Sequence, residues 1–300
     1  MKKNIFIYVA LLLIFSACET NQPENSTPGQ EFPEENLILE GYCGERGDNV
    51  KYKVYANGYD LTVVVYGKGA MNSYSSCPLR NLEDKDYKIV AARVEEGITY
   101  FGSNFFCGLE YLTKVSLPSS IVMYEDNAFS GCAMDTIVIP SGEIGRMAFH
   151  GCKNLKCCII GNKVTKMDYS AFGYCPKLDS IDFGKSITSI GPSAFQWCTN
   201  LKKCNTGNSV TEIGQESFEY CQGFEHIIIG AAVTNIGWGA FKGCTKFKSI
   251  TCFALTPPIL GSPIDRGDDF IVYVPAESVN LYKNDDSWKV FNIQPIPSNK

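Results

Sequence analysis

The chain has 300 residues, 45% of them apolar and 20% charged, with 27 lysines and arginines against 32 aspartates and glutamates for a formal net charge of −5. That composition is ordinary for a globular protein and can bury a large core. The mildly acidic balance argues against nucleic acid as a partner, because phosphate binding rests on clustered lysine and arginine.

The first 18 residues read MKKNIFIYVALLLIFSAC: two lysines, an apolar run from Ile5 to Phe15, then small residues. The run is too short to span a bilayer, so residues 1–17 are predicted to be an export signal. Its end, Phe15-Ser16-Ala17-Cys18, resembles the lipobox of bacterial lipoproteins. This implies acylation of Cys18 as the mature N-terminus, with a plainly secreted chain as the alternative. Multiple acyl chains would hold the protein firmly on a membrane, since a single chain binds only marginally. Residues 18–36, rich in Pro, Asn and Glu with little that is apolar, have the composition of a disordered tether.

Residues 37–97 carry strand-like runs, Val50 to Tyr55 and the start of LTVVVYGKGAMNSY (61–74), bounded by glycine turns. They are expected to form a β cap over the open N-terminal end of a repetitive segment that begins at residue 98.

From 98 to 252 one unit recurs. Phe106, Phe129, Phe149, Phe172, Phe195, Phe218 and Phe241 lie 23 residues apart, except for a step of 20 between Phe129 and Phe149. Five residues before each stands Phe101, Tyr124, Ile144, Met167, Ile190, Ile213 or Ile236. Three after comes Cys132, Cys152, Cys175, Cys198, Cys221 or Cys244, with Leu109 in the first repeat. Apolar residues follow at six, nine and eleven, as in Leu178, Ile181 and Phe183, and a Gly or Pro closes the unit; Thr206 breaks the set. Alternate apolar positions closed by a turn residue read as a short strand. A fixed period in the twenties marks a leucine-rich-repeat solenoid, here of about seven coils. One coil cannot bury its inward face alone, so the phenylalanines must stack along a shared interior. Residues 253–300 lose the period: FIVYVP reads as a strand and AESVNLYK as a short helix, with Trp288, Phe291 and Ile293 covering the other open end.

Fourteen cysteines in an exported chain would suggest disulfides. Six of them stack at one position of the coil, where parallel Cβ directions keep neighbours too far apart to bond, so buried thiols are expected. Cys158, Cys204 and Cys252 also fall on inward strand positions, while pairing of Cys43 with Cys77 stays open. No C-x-x-C occurs, and no metal or cofactor site is expected.

The repeats (SITSIGPSAFQWC, NSVTEIGQESFEYC), the N-terminal GYCGERGDNV…LTVVVYGKGAMNSY and the ending VYVPAESVNLYKNDDSWKVFNIQPI resemble the BspA-like leucine-rich-repeat surface proteins of anaerobic bacteria, over residues 41 to about 296. The resemblance implies a mainly β right-handed solenoid with an N-terminal β cap and a C-terminal αβ cap. It also implies display at the cell surface, for this chain the outer membrane, and binding to proteins or other macromolecules.

Three constellations are candidates for function. The outward strand positions, eight and ten after each Phe, are Lys114 and Ser116, Thr136 and Val138 (shifted by one, because the repeat of Phe129 runs one residue short), Cys157 and Ile159, Ser180 and Asp182, Lys203 and Asn205, His226 and Ile228, then Ser249 and Thr251. They form the surface a leucine-rich repeat offers to a protein, with an apolar island at Val138, Cys157 and Ile159 that a loop would otherwise have to cover. Tyr174, Trp197 and Tyr220, each two after its Phe, form an aromatic ladder that either stacks on sugar rings or packs on itself. Cys157 and His226 both face outward, but three coils apart, far beyond the reach of a nucleophilic pair, so no catalytic residue is assigned. The expected function is therefore non-catalytic recognition of a protein, with glycan binding as the alternative.

Overall fold

The computed structural model describes residues 32–83, 86–266 and 269–297; the export signal, Cys18 and the tether as far as residue 31 lie outside them. The chain from Pro33 onward is one compact unit.

Its axis is the phenylalanine column. All seven rings are buried. From Phe129 to Phe241 they stack almost parallel, with centroids 5.2 to 5.7 Å apart and planes within 11° of one another. Around this column the coils are joined by three hydrogen-bonded ladders. In the first, Thr136–Ile144, Cys157–Met167, Ser180–Asp182, Lys203–Asn205, His226–Ile229 and Ser249–Cys252 pair in parallel, residue for equivalent residue. In the second, the residue five before each Phe pairs with its counterpart, as Met167 with Ile190, Ile190 with Ile213 and Ile213 with Ile236. Among the described residues this ladder has nine rungs, beginning at Gly69–Ala70 and ending at Ile259–Leu260, one beyond the seven predicted coils at each end.

The third ladder joins the turns. The N–H of each Phe from Phe106 to Phe218 donates to the carbonyl of the residue before the next Phe, at 2.7 to 3.1 Å. These bonds run toward the following coil, opposite to the strand bonds such as Asp179 N–H to the Lys156 carbonyl at 3.0 Å. The turn is made by residues with positive φ two before the Phe (Asn104, Asn127, Met147, Ser170, Ser193, Glu216, Gly239) and again two after it.

The thiols complete the interior. Cys132, Cys152, Cys175, Cys198, Cys221 and Cys244 each donate S–H to the carbonyl of the preceding coil's Phe, at 3.1 to 3.3 Å. They are therefore hydrogen-bond donors between coils as well as the small apolar groups the sequence predicts. Cys43 and Cys77 are both buried thiols and are not bonded to one another. Thr206, the residue that breaks the apolar pattern, is buried and accepts the Gly230 N–H through its hydroxyl at 3.0 Å.

The 20-residue step has a local explanation. An ordinary coil takes eleven residues from Phe172 to Phe183 and seven more to Ile190; the short coil takes ten from Phe129 to Ile139 and five more to Ile144. With that turn gone, Thr136–Ile144 runs straight from one ladder into the other, and Cys157–Met167 runs alongside it with irregular register between Ile160 and Lys163.

At the N-terminal end Leu37–Gly44, Gly47–Asn57 and Asp60–Gly67 form an antiparallel meander, joined in parallel by Lys88–Val94 and then by Lys114–Ser116. At the other end the segment expected to cap the rod also lengthens it: Ile271–Val274 and Asn292–Pro295 add two further parallel rungs to the first ladder. The helix Val279–Asn284 lies between them. Buried Tyr282 donates its hydroxyl to the Ala254 carbonyl at 2.9 Å, and Trp288 Nε1 donates to Pro258 at 2.8 Å.

Because Phe195 is held between Phe172 and Phe218 and is fully buried, Phe195→Ala opens a cavity that rigid neighbours cannot fill. Denaturant titration is expected to show a loss of about 3–5 kcal/mol; a loss under about 1 kcal/mol would mean the ring column is not the shared core.

Candidate functional site

The outward strand positions line up as the period requires. Thr136, Cys157 and Ser180 are register partners, as are Lys203, His226 and Ser249. One row along, Val138, Ile159, Asp182, Asn205, Ile228 and Thr251 follow one another without a break. Val138 and Ile159, neighbours in that row, are half-buried, and so is Ile228 farther along.

Two parts of the expected face are corrected. Lys114 and Ser116 do not belong to it: they pair with Ala91 and Arg93 in the N-terminal sheet. The coil of Phe129 reaches its strand one residue early, which breaks the ladder between Lys114–Ser116 and Thr136–Ile144, although Ala133 N–H still meets the Leu112 carbonyl at 3.1 Å. In the other direction the face is longer than expected. Ile271 and Tyr273 are the partners of Ser249 and Thr251, and Asn292 and Gln294 follow them, so the row gains the half-buried Tyr273 and ends at Gln294. The alternation in Ile-Val-Tyr-Val (271–274) carries that signal, and its position after the last Phe hides it.

A further regularity borders the face. Asp135, Lys156, Asp179, Lys202, Glu225 and Lys248, one position before each strand's first outward residue, alternate in sign along the rod. Asp179 meets Lys202 at 3.1 Å and Glu225 meets Lys248 at 2.5 Å. Such exposed pairs add little stability; they give the face an edge of alternating charge with no net sign.

His226 Nδ1 lies 2.8 Å from Ser249 Oγ. Burial pulls its imidazole below the ordinary value, against the opposing pull of Glu225, so it is neutral at neutral pH. Cys157 and His226 stand three rungs apart, and no nucleophilic pair forms between them. Among the described residues no three His, Cys, Asp or Glu side chains come together as a metal site.

The aromatic ladder exists, with its rings turned toward one another. Tyr174 stacks on Trp197 with centroids 6.1 Å apart, and Trp197 on Tyr220 at 4.4 Å, each pair tilted by 23°. The outer face of Tyr174 meets His150 at 5.2 Å. Tyr220 lies so close over Gly243 that a Cβ there would come within 2.5 Å of the ring, and Lys242 Nζ sits 5.6 Å from its centroid. Sugar stacking needs an uncovered ring face, whereas the faces of Trp197 lie against Tyr174 and Tyr220; Tyr174 itself remains 47% exposed. Beneath the rings, the buried Glu219 carboxylate accepts from Lys242 at 2.7 Å and from Gln196 at 2.5 Å.

These three rings occupy strained backbone. Two residues after the Phe the other coils have Gly108, Gly131, Gly151 and Gly243, all at positive φ; Tyr174, Trp197 and Tyr220 adopt the same conformation at φ 57°, 62° and 57°. A side chain there costs roughly 1–2 kcal/mol per residue, and each aromatic pair returns about 0.5–1.5 kcal/mol. There are three strained residues and two stacked pairs, so stacking offsets only part of the strain.

A stack of short coils, each set by one strand and one buried Phe, with surface side chains in straight rows, defines a leucine-rich-repeat protein. Residues 84–196 and 142–248, together more than half of the chain, match the BspA-type leucine-rich-repeat region in six copies, and the chain belongs to that family. Proteins of this type are typically found at cell surfaces, and they generally bind macromolecules without catalysis. No curated protein matches the chain. Solved structures similar to it include a leucine-rich repeat protein from Eubacterium ventriosum (19% identical, 79% of this chain and 78% of that one, TM-score 0.45). A leucine-rich repeat protein of T. pallidum is 21% identical over 87% of this chain and 94% of that one, TM-score 0.43. A leucine-rich cell surface protein from Faecalibacterium prausnitzii is 16% identical over 72% and 95%, TM-score 0.35. No helix among the described residues is long and apolar enough to cross a membrane.

The strain at Trp197 separates two truncations. Trp197→Ala loses the stacking and keeps the strained backbone, whereas Trp197→Gly loses the stacking and relieves the strain. Thermal or denaturant unfolding should place the glycine variant about 1 kcal/mol above the alanine variant; equal stabilities would show that the ring, not its backbone, carries the cost.

Proposed function

We propose that this chain is a non-catalytic recognition protein at the outer surface of a bacterial cell. It holds a protein partner on the outward face of its first ladder. The observation that carries this reading is the unbroken row Val138, Ile159, Asp182, Asn205, Ile228, Thr251, Tyr273 and Gln294, in which half-buried Val138, Ile159, Ile228 and Tyr273 are set among polar residues. Partly covered apolar groups inside a polar border suit a protein contact, in which a few desolvated anchors supply most of the affinity. The sugar-binding alternative on Tyr174, Trp197 and Tyr220 has less support, because these rings stack on one another and leave only Tyr174 substantially exposed.

Two experiments test the proposal. Residues 33–300, immobilised and screened against purified extracellular and cell-surface proteins, should capture a specific partner. Ile159→Glu and Ile228→Lys should each weaken that partner by about tenfold or more at unchanged melting temperature; unaffected binding would remove the face from consideration. The proposed anchor is tested separately: Cys18→Ser should move the protein from the membrane fraction into the soluble one, and a variant that stays in the membrane fraction would refute acylation of Cys18.

A further inference from the structure

A cleft lies away from both candidate surfaces, where the N-terminal meander meets the first rungs of the second ladder. Its volume is about 790 Å³, and its walls come from four places in the chain. They are the turn at Glu45 and Arg46, Asn49, the stretch from Lys68 to Ser73, and Thr99 and Tyr100 with Glu125 behind them. That size is within the range of small-molecule sites.

Part of the lining is locked and part is free. Asn49 donates through Nδ2 to the Lys68 carbonyl at 3.0 Å and accepts the Arg46 N–H at 3.2 Å, tying the turn to the neighbouring strand end. Glu125 is fixed through a single oxygen. Its Oε2 accepts from Ser73 Oγ, from the Ser103 N–H at 3.2 Å and from Ser103 Oγ at 3.0 Å. Its Oε1 is engaged by none of these donors and is held in place as an acceptor. Arg46 and Lys68 bring donors to the same lining, and the Tyr100 ring is 41% exposed.

The charges indicate what such a site takes. Two cations, Arg46 and Lys68, face two carboxylates, Glu45 and Glu125, and Glu45 and Arg46 are neighbours in one turn, so the signs are mixed and not sorted to two sides. An anionic or cationic ligand gains little from that field. A polyhydroxylated neutral molecule gains more, since each hydroxyl both donates and accepts, and a pyranose also has a C–H face that can lie on an exposed aromatic ring. We propose that this cleft is a binding site for a neutral oligosaccharide, with Tyr100 as the platform, Glu125 Oε1 accepting from adjacent hydroxyls and Arg46 donating to them. The proposal uses none of the residues of the strand face and stands whether or not that face binds protein.

The test titrates the chain with neutral trisaccharides, maltotriose, cellotriose, xylotriose and mannotriose, and with a zwitterionic tripeptide, by calorimetry and tyrosine fluorescence. At least one trisaccharide should bind saturably. Tyr100→Ala and Arg46→Ala should each weaken it roughly fivefold or more, with melting temperatures unchanged. Glu125→Gln serves as a second variant that keeps an acceptor oxygen while removing the charge, and should weaken binding less than Glu125→Ala. Ile159→Glu, on the other surface, should leave the affinity as it was. Absence of binding by all four sugars, tighter binding of the tripeptide, or sugar binding insensitive to Tyr100→Ala and Arg46→Ala would each overturn the assignment.

Discussion

The structure depends on a requirement of backbone chemistry: a coil that turns through the interior every few residues must give each buried N–H and C=O a partner, and in a coil this short the partner is in the next coil. The bond from each Phe N–H to the carbonyl preceding the next Phe meets that requirement at the tightest point of the turn. It also explains the small residue before the Phe, Ala128, Ala148, Ala171, Ala194, Ser217 or Ala240, since little room is left where one turn lies on another. Ring stacking, thiol bonds and both strand ladders are consistent with that repeat of one coil per rung.

Strict repetition has a functional consequence. A side chain at one position of the coil recurs as a row along the rod, so the surface is written in rows: an apolar and polar row at Val138 to Gln294, an alternating charge row at Asp135 to Lys248, and an aromatic row at Tyr174 to Tyr220. Departures from repetition are therefore the informative places. The short coil straightens two strands and breaks the ladder beside Lys114–Ser116, and the cleft opens where the meander hands over to the coils. In the readings proposed above, recognition uses these rows and the place where they begin.

Much of this is legible in the residues, for a physical reason. A period of 23 fixes which side chains share a row, so the buried column, the strand register and the thiol column can all be placed from spacing. Spacing gives a position in the coil, but it does not give the plane of a ring. That is why Tyr174, Trp197 and Tyr220 can be aligned from sequence while the covering of their faces cannot. It does not give ladder continuity across an irregular coil, as Lys114 and Ser116 show. Nor does it reach the cleft, whose walls join residues as far apart as Arg46 and Glu125 with no period connecting them. The alternating charges are present in the sequence, but each coil carries only one of them, so no single repeat displays the pattern.

The thiol column has a chemical consequence. Burial pushes the Cys198 and Cys244 thiols up to about 12, and every proton in the column is already committed to a carbonyl. A thiol that cannot ionise is a poor nucleophile toward a disulfide or an oxidant. Once the coils have closed, Cys198 and Cys244 are poorly reactive, and cross-linking through them falls mainly to the chain that has not yet folded. The race between assembly and oxidation is run once, before the rod exists, and its outcome is then sealed by the protein's own backbone.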